Sequence, residues 1–250
     1  MHYLYENKIH YHADLLKLLK LELQTLPKGR MKCIQGKFYY QVVDGKTVGI
    51  TKNRILVSQY CRKALVLFLV KHLEKQRTLP AHLHQKLSIK EIIAAISTPY
   101  QGFPLHYYFH SQHKDWLQMK SPTSEFHPVD LKYPTSKNFL VRSKSEVITV
   151  DHLNKLEIPF LYESSFQGLG KKIYPDFLLF CPFTGKLIPW EHFGALHKDG
   201  YERKMRDKIL LFNRLGFKLF ETVIYTFESD IEDAGRIEEI IKEIILNPSF

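Results

Sequence analysis

Leu15, Leu16, Leu18, Leu19, Leu21 and Leu23 alternate with lysine and glutamate, a pattern that predicts a helix from Ala13 to Leu26 stopped by Pro27 and Gly29. The runs Lys37–Val43 and Lys46–Ile50 flank Asp44-Gly45, which between β-rich segments signals a hairpin. Asn53 is placed to cap a long basic helix from Arg54 to about Gln76, and Ser88 to cap another over Ile89–Ile96. From Ser97 to Asn138 the pattern dissolves into Pro, His, Ser and aromatic residues and reads as an irregular connector. Beyond it, periodicity predicts a helix from Lys144 to about Leu156 and strands over Phe160–Phe166, Ile173–Phe180 and Lys186–Phe193. A turn at Gln167-Gly168-Leu169-Gly170 separates the first two strands. A helix over Gly200–Leu215, a strand over Lys218–Phe227 and a helix over Ile231–Leu246 complete the chain. The order α-β-β-β-α-β-α predicts an α/β fold, a mixed sheet with helices on its faces, preceded by a mainly helical region carrying a β-hairpin. The division is expected at 1–140 and 141–250.

Composition narrows the class. The chain has 250 residues and is 44% hydrophobic, enough for a core. No apolar run approaches the roughly 20 residues of a membrane helix. The opening Met1-His2-Tyr3-Leu4-Tyr5-Glu6-Asn7 has neither the basic flank nor the apolar run of a secretory signal. Cys33, Cys61 and Cys181 fall in no metal-ligand spacing; an odd, scattered set points to a reducing cytoplasm. The net charge of +10 is unevenly spread. Residues 1–140 hold 21 Lys+Arg against 9 Asp+Glu, and residues 141–250 hold 15 against 17. The first part is built to meet a polyanion, although a basic surface serves solubility equally well.

The acids of the second part carry the candidate chemistry. Asp176 lies in Tyr174-Pro175-Asp176-Phe177, where a proline marks an edge or a bulge. Glu191 ends an apolar strand on the other side of a short turn. Two carboxylates brought together by adjacent strands repel each other unless a cation lies between them, and Mg²⁺ accepts one or two such oxygens. Strand alternation turns the His192 side chain to the opposite face from Glu191. Glu146 belongs to a capping-box pattern with Ser143, yet it also shares a helical stripe with Val150 and Leu153. Tyr201, Lys204 and Lys208 line one helix face. A lysine beside a carboxylate–metal site can orient water and offset phosphate charge, whereas on its own it is a solvated cation. No Gly-rich phosphate loop, Zn-spaced His/Cys set or nucleophile motif competes.

Arg142-Ser143-Lys144-Ser145-Glu146, Tyr174-Pro175-Asp176-Phe177 and Trp190-Glu191-His192-Phe193-Gly194, in that order over about the last 110 residues, resemble a bacterial branch of the PD-(D/E)XK nuclease superfamily. The resemblance implies a restriction-endonuclease-like core, α-β-β-β-α-β. It implies Mg²⁺, with Mn²⁺ able to substitute, held by Glu146, Asp176, Glu191 and the main-chain carbonyl of His192, and cleavage of phosphodiester bonds, expected in DNA. The superfamily lysine two residues after the second acid is Phe193 here, so its role would pass to Lys204 or Lys208. Lys28, Arg30, Lys32, Lys37, Lys52 and Arg54 would supply phosphate contacts. A homodimer or larger complex is compatible with this reading. Two others stay open: a nuclease fold that binds nucleic acid without cutting it, and a protein-interaction domain.

Overall fold

Met31 is buried between exposed Arg30 and Lys32, and this alternation makes Arg30–Ile34 a strand, β1. The computed structural model describes residues 15–118, 131–233 and 235–248. The chain divides into two compact units, one running to His110 and taking back Asn247 and Pro248, the other spanning Ser111–Leu246.

In the first unit, residues 15–25 form helix α1; the predicted start at Ala13 lies outside the described residues. Strands β1, β2 (Phe38–Val43) and β3 (Lys46–Gly49) make an antiparallel meander in the order β1-β2-β3. The Asp44-Gly45 turn joins β2 to β3 as expected, and β1 adds a third strand that the sequence pattern left out. Gly29, at φ +77°, opens the meander; a Cβ there would lie 2.1 Å from the Val42 carbonyl oxygen. Asn53 caps α2 (Arg54–Thr78) by accepting from the Leu56 N–H at 3.0 Å. Ser88 and Glu91 form a full capping box on α3 (Ile89–Ala95).

The face of α2 that includes Val57, Cys61, Leu65, Leu69 and Leu73 is buried. Arg62 is buried on the same helix. Its Nε and Nη2 donate to the two Glu22 carboxylate oxygens at 2.8 and 2.7 Å, and its Nη1 donates to the Tyr108 carbonyl at 3.0 Å. One guanidinium thus ties α1, α2 and the 3₁₀ turn Leu105–Tyr108 together.

In the second unit, helix α4 (His113–Gln118) and strand β4 (Tyr133–Pro134) lie in the expected connector, of which residues 119–130 lie outside the described residues, and β4 pairs with β5 (Leu140–Val141) just beyond it. After α5 (Lys144–Lys155) come β6 (Phe160–Tyr162), a two-stranded ribbon of β7 (Phe166–Gly168) and β8 (Lys171–Ile173), then β9 (Phe177–Phe180) and β10 (Leu187–Phe193). Helix α6 (Tyr201–Arg214) crosses to β11 (Ile224–Phe227), and α7 (Glu228–Glu232) and α8 (Arg236–Ile241) follow, the last running into a π turn over Lys242–Leu246. The main sheet has the order β11-β10-β9-β6, with β10–β11 parallel and the other pairs antiparallel. The fold is therefore mixed α/β. No helix among the described residues is long and apolar enough to cross a membrane.

Four predicted elements are shorter than expected. Phe160–Phe166 keeps only Phe160–Tyr162 as β6, and Phe166 instead opens β7, which takes in Gln167 and Gly168 of the expected turn. Ile173–Phe180 splits at Tyr174-Pro175-Asp176, because Pro175 has no N–H for the ladder; the Asp176 carbonyl instead accepts from the Glu163 N–H at 2.9 Å. Lys218–Val223 closes on itself, with the Thr222 and Val223 N–H groups donating to the Lys218 carbonyl, and leaves only Ile224–Phe227 as strand. The last helix breaks around Asp233 and Gly235.

Removing one partner of the Arg62–Glu22 pair leaves a charge buried without its counterion. Glu22→Ala is expected to cost the first unit about 3 kcal/mol of stability, read from urea unfolding; a loss below about 0.5 kcal/mol would show that the pair is not structural.

Candidate active site

Alternation along β10 sorts its end residues between two faces. Glu191 and Phe193 face α6, where Phe193, Phe212, Val223, Tyr225 and Ile173 form an apolar cluster packed by Met205 and Ile209. Trp190 and His192 face the other way. The Trp190 indole N–H donates to Thr226 Oγ1 at 2.8 Å, the His192 ring lies 3.2 Å from the same hydroxyl, and its Nε2 lies 3.2 Å from Glu228 Oε2. Ser145 of α5 donates to Glu228 at 3.1 Å, so β10, β11 and α5 share one polar chain. Gly194 permits it: a Cβ there would come within 2.7 Å of both His192 Nε2 and Glu228 Oε2. The predicted opposite-face position of His192 is observed, and its partners Thr226 and Glu228, with Ser145 bonded to Glu228 behind them, are contacts that no sequence spacing announced.

Glu191 is 1% exposed. Its Oε2 pairs with Lys208 Nζ at 2.6 Å, and its Oε1 is buried with no hydrogen-bond partner. Tyr225, directly across from Glu191 on β11, also has a buried hydroxyl without a partner. A buried carboxylate oxygen with no donor is costly. Burial and the charge of Asp176 push the Glu191 carboxyl well above the ordinary glutamate range, and Lys208 offsets only part of this. Asp176, half-buried after Pro175, accepts from the His192 N–H at 2.6 Å. Burial raises its carboxyl too, against the pull of Lys208 and of that N–H. The two acids and Lys208 are thus one electrostatic group.

Glu146 stands beside them, held differently. Ser143 caps α5 by accepting from the Glu146 N–H at 3.2 Å, but the Glu146 carboxylate does not close the capping box; its Oε2 accepts from Tyr162 Oη at 2.7 Å and from the Arg142 N–H at 2.9 Å. Burial raises its carboxyl, the Tyr162 hydroxyl pulls it down, and the charge of Asp176 pushes it up again. Nearby, Arg142 forks onto Glu163, its Nη2 donating to Oε2 at 2.8 Å. Among the described residues, no three His, Cys, Asp or Glu side chains close on one point as a metal-ligand group. The structure brings Asp176 and Glu191 together, with Glu146 within electrostatic reach of Asp176.

Of the two candidate lysines, Lys208 is half-buried and reaches Glu191, whereas Lys204, one turn earlier, is exposed. Phe193 is packed against Tyr225 and Phe227. The cation beside Glu191 comes from α6. Burial raises the phenol of Tyr201, on the same helix face, and the charges of Asp176 and Glu191 raise it further. In the first unit, Lys28, Arg30, Lys32, Lys37, Lys52 and Arg54 are all exposed. They border the meander: Arg30 and Lys32 on β1, Lys37 in the first turn, Lys52 after β3 and Arg54 at the start of α2.

No family model matches the chain, and neither a curated protein nor a solved structure matches it.

Because folding raises the Glu191 pKa above the ordinary value of 4.5, the folded state binds this proton more tightly than the unfolded chain. The resulting stabilisation is full below 4.5 and is lost as pH rises through the folded-state value. Glu191→Gln in EDTA is therefore expected to flatten the fall of Tm with rising pH, measured by calorimetry. An unchanged slope would mean that the carboxylate is not held against its charge.

Proposed function

We propose that this chain is a metal-dependent nuclease of the PD-(D/E)XK type, hydrolysing phosphodiester bonds, with DNA as substrate. One observation carries the reading. A carboxylate buried on a strand end, one oxygen paired with a lysine and the other without a donor, lies beside a second raised carboxylate. Fold stability alone gives no reason to bury such a group. The sheet order and the α5–β6–β9–β10–α6–β11 sequence of elements support a restriction-endonuclease-like core.

The residues fit a hard divalent cation, because Asp176 and the unpartnered Oε1 of Glu191 offer oxygen ligands of the kind Mg²⁺ takes. These two would hold Mg²⁺ or Mn²⁺, with the main-chain carbonyl of His192 as a further oxygen; Glu146 forms no three-acid ligand group with them and would act through its charge. A bound divalent cation supplies charge neutralisation at the phosphate and a lowered pKa for coordinated water. Lys208, fixed by Glu191, orients the attacking water and offsets charge on the phosphate. Arg142 and Tyr162 hold Glu146 in place. The basic meander of the first unit supplies sequence-independent phosphate contacts.

The test is cleavage of plasmid and oligonucleotide DNA by the full chain in Mg²⁺, in Mn²⁺ and in EDTA. Asp176→Ala is expected to abolish cleavage while retaining DNA binding in a gel shift. Lys208→Ala is expected to lose about a hundredfold or more, and Lys204→Ala to stay near wild type. Cleavage that persists in Asp176→Ala contradicts the reading. Binding of DNA by a wild-type chain that does not cut in either metal would place the protein among non-catalytic nuclease folds.

A further inference from the structure

The outward face of the β1–β3 meander carries a second set of features that phosphate contact alone does not explain. The register places Lys32 opposite Tyr40 and Tyr40 opposite Gly49; Arg30 lies opposite Val42, and Ile34 opposite Phe38. Alternation puts Arg30, Lys32, Ile34, Phe38 and Tyr40 on one side, while Met31 on the other side is buried. Phe38 is 47% exposed and Ile34 is exposed beside it. The Tyr40 ring leans across Gly49, where a Cβ would lie 3.7 Å from it, so the residue opposite has no side chain to cover the ring. The adjacent Tyr39 behaves otherwise: it is spent in a cluster with Phe103, at 5.2 Å, which in turn stacks on Tyr107. Phe38 and Tyr40 meet no other aromatic ring among the described residues. Between Arg30 and Arg54 the charges are Lys32, Lys37, Lys46 and Lys52 with Asp44 as the one acid.

From this placement we infer that the outward face of the meander is a binding surface for single-stranded DNA, with unpaired bases stacking on Phe38 and Tyr40 and the backbone running along Arg30 and Lys32. A duplex keeps its bases inside the stack and can use only the cations. A single strand offers a π-face to the exposed Phe38 ring and to the half-buried Tyr40 ring, and its phosphates complement the surrounding positive charge. The inference rests on the nucleic-acid reading given above and narrows it: the nuclease would engage DNA with an unpaired segment, such as a frayed end, a flap or a displaced strand.

Fluorescence anisotropy of the full chain tests this, with a thymidine oligonucleotide of about 16 nucleotides and a duplex of the same length as probes, both in EDTA. Phe38→Ala and Tyr40→Ala are each expected to weaken single-strand binding about tenfold and to leave duplex binding within about twofold. Tyr40→Phe, which keeps the ring, should retain the wild-type affinity, with thermal melts confirming that each variant is folded. Lys32→Ala should weaken both probes and reduce the salt dependence. Aromatic variants that leave single-strand affinity unchanged, or weaken both probes alike, overturn the inference. So does sedimentation showing a dimer that Phe38→Ala dissociates, which would assign the face to a second copy of the chain. Metal-dependent cleavage of duplex plasmid by Phe38→Ala separates the two readings: it would stand if only this surface failed, whereas single-strand binding without any cleavage would leave this surface and remove the nuclease.

Discussion

The structure of the second unit turns on one buried carboxylate, that of Glu191. An ionised glutamate at the end of a central strand costs several kcal/mol of desolvation unless counter-charge is supplied. Here Lys208 supplies part of it from α6, at 2.6 Å, and the other oxygen is left without a donor. This single requirement constrains the elements around it. Helix α6 must cross between β10 and β11 so that its half-buried lysine faces the strand end. Phe193 and Phe212 must close the apolar floor below. Asp176 must reach the β10 backbone from the proline-broken end of β9.

The opposite side of β10 explains how that geometry is held. His192 belongs to both sides at once. Its N–H binds Asp176, while its ring is fixed between Thr226 and Glu228, and Glu228 is fixed by Ser145. Motion of the ring would therefore shift the donor that orients Asp176. Gly194 is part of the same device, because any side chain there would collide with the His192–Glu228 contact. The short stretch Trp190 to Gly194 thus combines strand burial, acid presentation and backbone positioning, which is why it stands out in the sequence.

Much of this was legible because local rules dominate where the signals are strong. The Asn53 and Ser88 caps, the Asp44-Gly45 hairpin and the helices around α5 and α6 follow from side-chain oxygens and periodicity that act within a few residues. Pro175 marked an edge or a bulge in the sequence, but the strand was expected to continue through Asp176, whereas it stops at Ile173 and resumes at Phe177. What escaped was set by tertiary contacts. Strand β1 is short and shows its alternation only once Met31 is buried. The Lys218–Val223 turn depends on the hydroxyl of Thr222, which accepts from the Lys218 N–H. At the site, the pairing of Asp176 with Glu191 was readable from adjacent strands, but the choice of Lys208 over Lys204 depends on how α6 is rotated against the sheet. The hold of Tyr162 and Arg142 on Glu146, and the Glu228 link to His192, join residues 4 to 36 positions apart and leave no mark in local pattern.

The central claim is that Asp176 and Glu191 share a divalent cation. Electron paramagnetic resonance of Mn²⁺ titrated into the full chain tests it without reference to cleavage. The account predicts saturable binding of about one or two ions per chain, competed by Mg²⁺ and lost in both Asp176→Asn and Glu191→Gln. Free Mn²⁺ throughout the titration, or binding that survives both substitutions, would contradict it.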